Sequence, residues 1–118
     1  MTPNDPKRGE VWIVDFNPTV GEEIYKQRPA VVLSSDAIGT LNLKIVAPIT
    51  EWKPTFENNV WHVRIDPSGR NGLSKTSAVD LLQVRSVAVL RFIRKLGLLQ
   101  EIQMSEALQA LAIVVEWK

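Results

Sequence analysis

The sequence has no cysteine and a single histidine, His62. The first absence excludes disulfides, thiolate metal sites and a cysteine nucleophile together. The second excludes a ribonuclease site built from two histidines of one chain. Neither charge is in excess: 14 basic residues against 13 acidic leave a net +1. That is well short of the basic face of a large duplex-DNA binder, although a balanced chain can still carry a local basic patch. No apolar run approaches the ~20 residues needed to cross a bilayer. The longest, 107–115, is broken by Gln109. The polar, proline-bearing start MTPNDPKRGE shows no apolar stretch of a secretory signal. A cytoplasmic location and no membrane partner are therefore expected, and the missing cysteine is compatible with a reducing compartment.

What remains is a chain of 118 residues, 45% of them hydrophobic. That is enough for one globular domain over 1–118 with its own core. The segment 9–16, GEVWIVDF, is rich in β-branched and aromatic residues and reads as a strand with apolar side chains on both faces. A long polar loop over 17–28 follows, of a length that often carries function in a small domain. Further strands are expected over 29–34, 43–50, 60–65 and 77–83. A short turn or helical piece is expected at 35–41, a polar loop at 51–58, and a turn cluster at 66–72. Residues 84–95 read as a short helical turn and then a strand running to Leu99. In 60–65, Val60, His62 and Arg64 alternate with Trp61, Val63 and Ile65, and His62 reads as a surface strand residue. The last segment places Met104, Leu108, Leu111, Ala112 and Val115 at helical spacing. About six or seven short strands and one amphipathic C-terminal helix predict a mainly β domain, a small barrel with the helix packed at one end.

Three ordered blocks resemble the MazF/PemK toxin family, which includes Kid. They are RGEVWIVDFNPTVGE at 8–22, RPAVVLS at 28–34 and VAPIT at 46–50, with QVRSV at 83–87 as a weaker fourth. Together they span most of the chain. The resemblance implies an SH3-like barrel, a homodimer and an endoribonuclease (an mRNA interferase) that cuts single-stranded RNA sequence-selectively. A cognate antitoxin protein would neutralise it. The alternatives are a CcdB-like toxin that poisons gyrase without catalysis, and a degenerate barrel that only binds nucleic acid or an antitoxin.

RNA carries its own nucleophile, so no metal and no cofactor are expected. The 2′-hydroxyl attacks the adjacent phosphorus, giving a 2′,3′-cyclic phosphate and a 5′-hydroxyl. The protein must take a proton, steady charge on phosphorus and protonate the leaving oxygen. The resemblance assigns the phosphate grip to Arg28, whose fork suits two phosphate oxygens, and to Thr50, whose hydroxyl donates to one. For Arg28 the structural alternative is pairing with Glu22 or Glu23; for Thr50 it is strand propensity. Glu22 is the candidate for proton transfer, and Glu23 lies beside it. Family members often carry an acid immediately before Gln83, where this chain has Leu82; Asp80, on the same side of an unbroken strand, is a possible substitute. Gln83 is a candidate RNA contact or a barrel hydrogen bond. Trp52 and Phe56 are candidate stacking platforms for bases, and Lys26 and Lys53 candidate phosphate contacts.

Overall fold

The computed structural model describes residues 5–38 and 42–117. The first strand, β1 (Glu10–Asp15), runs antiparallel to β2 (Gln27–Val32) on one edge and to β7 (Phe92–Leu98) on the other. The longest strand, β3 (Leu43–Glu51), lies beside β2. Its opposite edge is shared by two short strands in succession. β5 (Ser77–Asp80) pairs with its C-terminal end, and β6 (Arg85–Ala88) with its N-terminal end. β4 (His62–Ile65) completes the sheet beside β5. The order is β4-β5-β3-β2-β1-β7, with β6 also on β3. The mainly β architecture with seven strands and a C-terminal helix is as expected.

The barrel is not closed by a ladder: β4 and β7 are the ends of the strand path. The loop that leaves β4 bridges them instead. Leu98 N–H donates to the Arg70 carbonyl at 2.9 Å. Buried Asn71 ties the loop together, accepting from Ser68 N–H and Leu73 N–H and donating to the Asp66 carbonyl. The approach is so close that a methyl group at Gly97 would collide with the Arg70 carbonyl, and one at Gly72 with that of Leu96. Gly72 also has φ +70, a conformation open to glycine.

Alternation divides the core into two layers. Val11, Val31, Ala47, Ile49 and Val79 face the helix α1 (Glu101–Val114), with Met104, Ala107 and Ala110 packed on them. Trp12, Val14, Phe16, Ala30, Val32, Val46, Val87 and Phe92 form the other layer. The central strands are thus apolar on both faces because both are covered. The inward stripe of α1 differs from the expected one. Alanines at 107 and 110 bring the helix close to the sheet, Leu108 and Leu111 are half-buried, and Val115 is exposed beyond the helix end. Gln100 and Gln103 cap its start reciprocally.

Several boundaries also differ: β4 starts at His62 and not at 60, and the segment 84–95 opens with β6 before its 3₁₀ turn, Val89–Arg91. The strand expected over 77–83 stops at Asp80, because the Asp80 carboxylate accepts the Leu82 N–H at 3.0 Å and turns the chain into a 3₁₀ turn over Leu81–Gln83. Pro29 is the third residue of β2, not the first. Of the piece expected at 35–41, Asp36–Ile38 form a 3₁₀ turn and 39–41 lie outside the described residues.

The seam yields a stability prediction. Gly97→Ala lowers the urea midpoint by the equivalent of about 1–3 kcal/mol, the scale of overpacking a close contact. An unchanged midpoint would mean that the 66–72 loop does not press on β7.

Candidate active site

The register between β2 and β3 pairs Ala30 with Pro48 and Val32 with Val46. Continued by two places, it sets Arg28 across from Thr50. Thr50 is in turn paired with Ala78, and Asp80 with His62. Side chains two apart on a strand share a face, so Arg28, Thr50, Asp80 and His62 belong to one face. All four line a cavity of about 480 Å³, with Lys53 and Phe56 from the β3–β4 loop, Ile24 from the β1–β2 loop and Gln83 from the 3₁₀ turn. A second cavity of about 380 Å³ shares Arg28, Thr50 and Glu51 and is bordered by Lys75, Ser77 and Arg94. Arg28 and Thr50 therefore stand between two hollows.

Arg28 is half-buried. Its Nε donates a long hydrogen bond, 3.4 Å, to the Tyr25 carbonyl. Among the described residues it pairs with neither Glu22 nor Glu23, so its terminal nitrogens are available to an anion. Thr50 is likewise partly exposed at the cavity wall. A fork-shaped cation and a hydroxyl on neighbouring strands suit the oxygens of one phosphodiester.

His62 departs from the reading as a surface strand residue. Its side chain is 7% exposed. The ring stacks on Phe56 with centroids 3.8 Å apart. Nδ1 lies 3.2 Å from Asn59 Nδ2, and Nε2 lies 3.6 Å from the Asp80 carboxylate. The alternating pattern was visible in the sequence, but the aromatic lid over the ring comes from the 51–61 loop, which carries no periodic signal. Asp80 is equally buried, with one oxygen on Leu82 N–H and the other toward His62. The turn at Leu81–Gln83 breaks the alternation that would have put Asp80 and Leu82 on one side, and Leu82 is exposed. Asp80 is present in the site but already engaged.

The other expected residues separate into two groups. Lys53, Phe56 and Gln83 line the Arg28–Thr50 cavity. Phe56 spends one ring face on His62, and Trp52 meets Phe56 edge-on and lies under the Arg64 guanidinium. Glu22 and Glu23 border an adjoining hollow together with Gln83 and Arg85. The Glu23 carboxylate accepts the Val20 N–H at 2.6 Å. Lys26 has φ +67 and lays its ammonium over Tyr25. Glu51, which borders both cavities, escaped the sequence reading; its carboxylate pairs with Lys75 at 3.2 Å.

Burial pushes the His62 imidazole below its ordinary 6.5, and the Asp80 carboxylate pulls it partly back. As pH falls, the unfolded chain takes up this proton first. Stability therefore declines below about 6.5 and levels off once the folded imidazole is also protonated. His62 is the sole histidine, so proton NMR reads it without ambiguity. Its midpoint is expected below 6.5, and lower still in Asp80→Asn, which keeps the cap on Leu82. A midpoint at or above 6.5 would contradict the burial described.

With this geometry in hand, the likeness to known proteins is direct. Residues 7–115 match the model of the PemK-like, MazF-like toxins of type II toxin–antitoxin systems. The chain is 38% identical over 112 residues to the probable endoribonuclease MazF5 of Mycobacterium tuberculosis, covering 94% of each. It is 32% identical over 108 residues to endoribonuclease EndoA of Bacillus subtilis, covering 91% of each. The fold matches that of MazF from Deinococcus radiodurans with a TM-score of 0.78 at 24% identity, over 94% of this chain and 96% of that one. The chain belongs to the PemK-like, MazF-like toxins of type II toxin–antitoxin systems.

Proposed function

We propose that this protein is an endoribonuclease toxin that cleaves single-stranded RNA sequence-selectively by metal-independent transphosphorylation. It acts as a cytoplasmic homodimer and is held in check by a cognate antitoxin. The observation that carries the reading is the Arg28–Thr50 pair: a guanidinium with free terminal nitrogens and a hydroxyl, on adjacent strands at the wall of one cavity. Such a pair supplies what transphosphorylation requires of a protein. Arg28 gains strength as charge gathers on the phosphoryl oxygens, and the Thr50 hydroxyl donates to one of them. The attacking group belongs to the RNA, so no bound nucleophile is needed.

Proton transfer is assigned to Glu22. It is exposed, and it sits on the loop that leads into Arg28. The hollow it borders shares Ile24 and Gln83 with the Arg28–Thr50 cavity, which sets the loop that carries the carboxylate beside the phosphate-binding pair. Lys53 and the open face of Phe56 border the same cavity and suit a flanking phosphate and a base. Lys26 and Trp52 flank it more loosely. The relative EndoA is named an endoribonuclease and MazF5 a probable one, and the family description places such toxins in toxin–antitoxin systems.

The test is incubation with a long unstructured RNA in EDTA, followed by end-group analysis. Discrete fragments with 2′,3′-cyclic phosphate and 5′-hydroxyl ends are expected. Arg28→Ala should lower the rate at least about a hundredfold, the scale for removing one preorganised charge-stabilising donor, with an unchanged far-UV spectrum. Thr50→Val should cripple cleavage and leave the oligomeric state as it was. Intact RNA with a folded protein would sink the catalytic reading in favour of a toxin that works by binding.

A further inference from the structure

The β1–β2 loop carries Glu22 and runs directly into Arg28, yet it is fastened at few points. Its base is held firmly. The Arg91 guanidinium donates to the carbonyls of Asp15 and Asn17. Phe16 N–H reaches the Lys26 carbonyl, and the Asn17 side chain takes the Lys26 N–H. The tip is different. Val20 is 80% exposed, and Ile24 alone reaches the core. Val20 and Glu23 bond to each other. Among the described residues, the hydrogen bonds from the tip, 18–24, to a distant element both go to one side chain. Gln83 Oε1 accepts the Ile24 N–H at 2.6 Å, and Gln83 Nε2 donates to the Glu22 carbonyl at 3.3 Å.

We propose that Gln83 is a positioning residue: a latch that holds the loop tip against the sheet, setting Glu22 and the approach to Arg28, and not a group that reads the RNA. The partners are one donor and one acceptor, so they define which way the amide points, and both of its ends are spent on main chain. One amide hydrogen and one oxygen lone pair are thereby fixed on the loop, so the orientation of the group is set by the loop before any RNA arrives. The latch is itself braced from below. Gln83 closes the 3₁₀ turn that Asp80 caps through Leu82 N–H, and Asp80 faces the buried His62. Leu81 N–H adds a 2.8 Å bond to the Trp61 carbonyl at the approach to β4. From Ile24 the chain passes to Tyr25, whose carbonyl accepts from Arg28 Nε. Fastening Ile24 thus constrains both the carboxylate-bearing segment and the carbonyl that orients the guanidinium. Misplacement of a reacting group by about 1 Å can cost on the order of a hundredfold in rate.

The inference rests on the cleavage reading for its kinetic consequence, but its structural half is tested without RNA. In Gln83→Ala, exchange of the Ile24 amide followed by NMR should accelerate at least about tenfold, because its acceptor is gone. With the long unstructured RNA in EDTA, kcat should fall about tenfold to a hundredfold while KM stays within about threefold. Gln83→Glu keeps an acceptor for Ile24 N–H, so Ile24 protection should return. Two results would overturn the latch: Ile24 exchange unchanged in Gln83→Ala, or a rise in KM alone, which would make Gln83 a direct RNA contact. If Arg28→Ala cleaves like the wild type, the catalytic reading fails while the Ile24 measurement still decides the latch.

Discussion

Sliding β2 by one residue against β3 would turn the side chains of β2 over while those of β3 kept their faces. Val31, now under the helix, would change places with Ala30 and Val32. Both sets are apolar, so burial alone distinguishes the two registers poorly. The ends of the strands distinguish them. In the wrong register Arg28 would turn toward the helix layer and away from Thr50, because a one-residue slip moves the whole set of the sliding strand's side chains to the opposite face. β3 is further constrained along its other edge, where β5 and β6 must both find their places. The juxtaposition of a cation and a hydroxyl at the site is therefore a by-product of the register on which the whole sheet depends.

Around that pair, the site divides into a bonded floor and an exposed lip. The floor is the stacked unit of Phe56, His62 and Asp80, in which the His62 and Asp80 side chains are buried and Phe56 covers the imidazole. A buried charge demands partners, and Asp80 has two. Its cost in availability is that it no longer serves as a free acid. The lip is the β1–β2 loop, polar and fastened at intervals, and it carries the carboxylates. Division of this kind keeps Arg28 and Thr50 on the sheet while the carboxylates lie on the loop beside them.

Much of this was legible in the residues. β-branched runs marked the strands within a few positions, and apolar residues on both faces of 9–16 announced a sheet covered on both sides. The ordered blocks carried Arg28 and Thr50 into one site. The illegible parts share one cause: a side chain acting on a distant backbone. Asp80 ends a strand by capping Leu82, which no alternation pattern reveals. His62 is buried by a ring from an aperiodic loop. The residues around Gln83 leave an RNA contact and a barrel hydrogen bond both open, because its partners lie some sixty positions away in sequence, on Glu22 and Ile24. Helix periodicity identified α1 but not which of its small residues would meet the sheet.

The loop that joins β7 to the end of β4 has one more implication. A barrel closed by a ladder spreads its closure over many hydrogen bonds, whereas here the junction consists of a few backbone contacts around Gly72, Gly97 and Arg70. Opening it would separate the two edges of the sheet without breaking any strand pair. Closure of the sheet on this side thus rests on one narrow line of contacts. That line runs beside the second hollow, bordered by Gly72, Leu96 and Arg94. The seam thus supplies one wall of the hollow beside Arg28, so the contacts that close the sheet also shape the space next to the guanidinium.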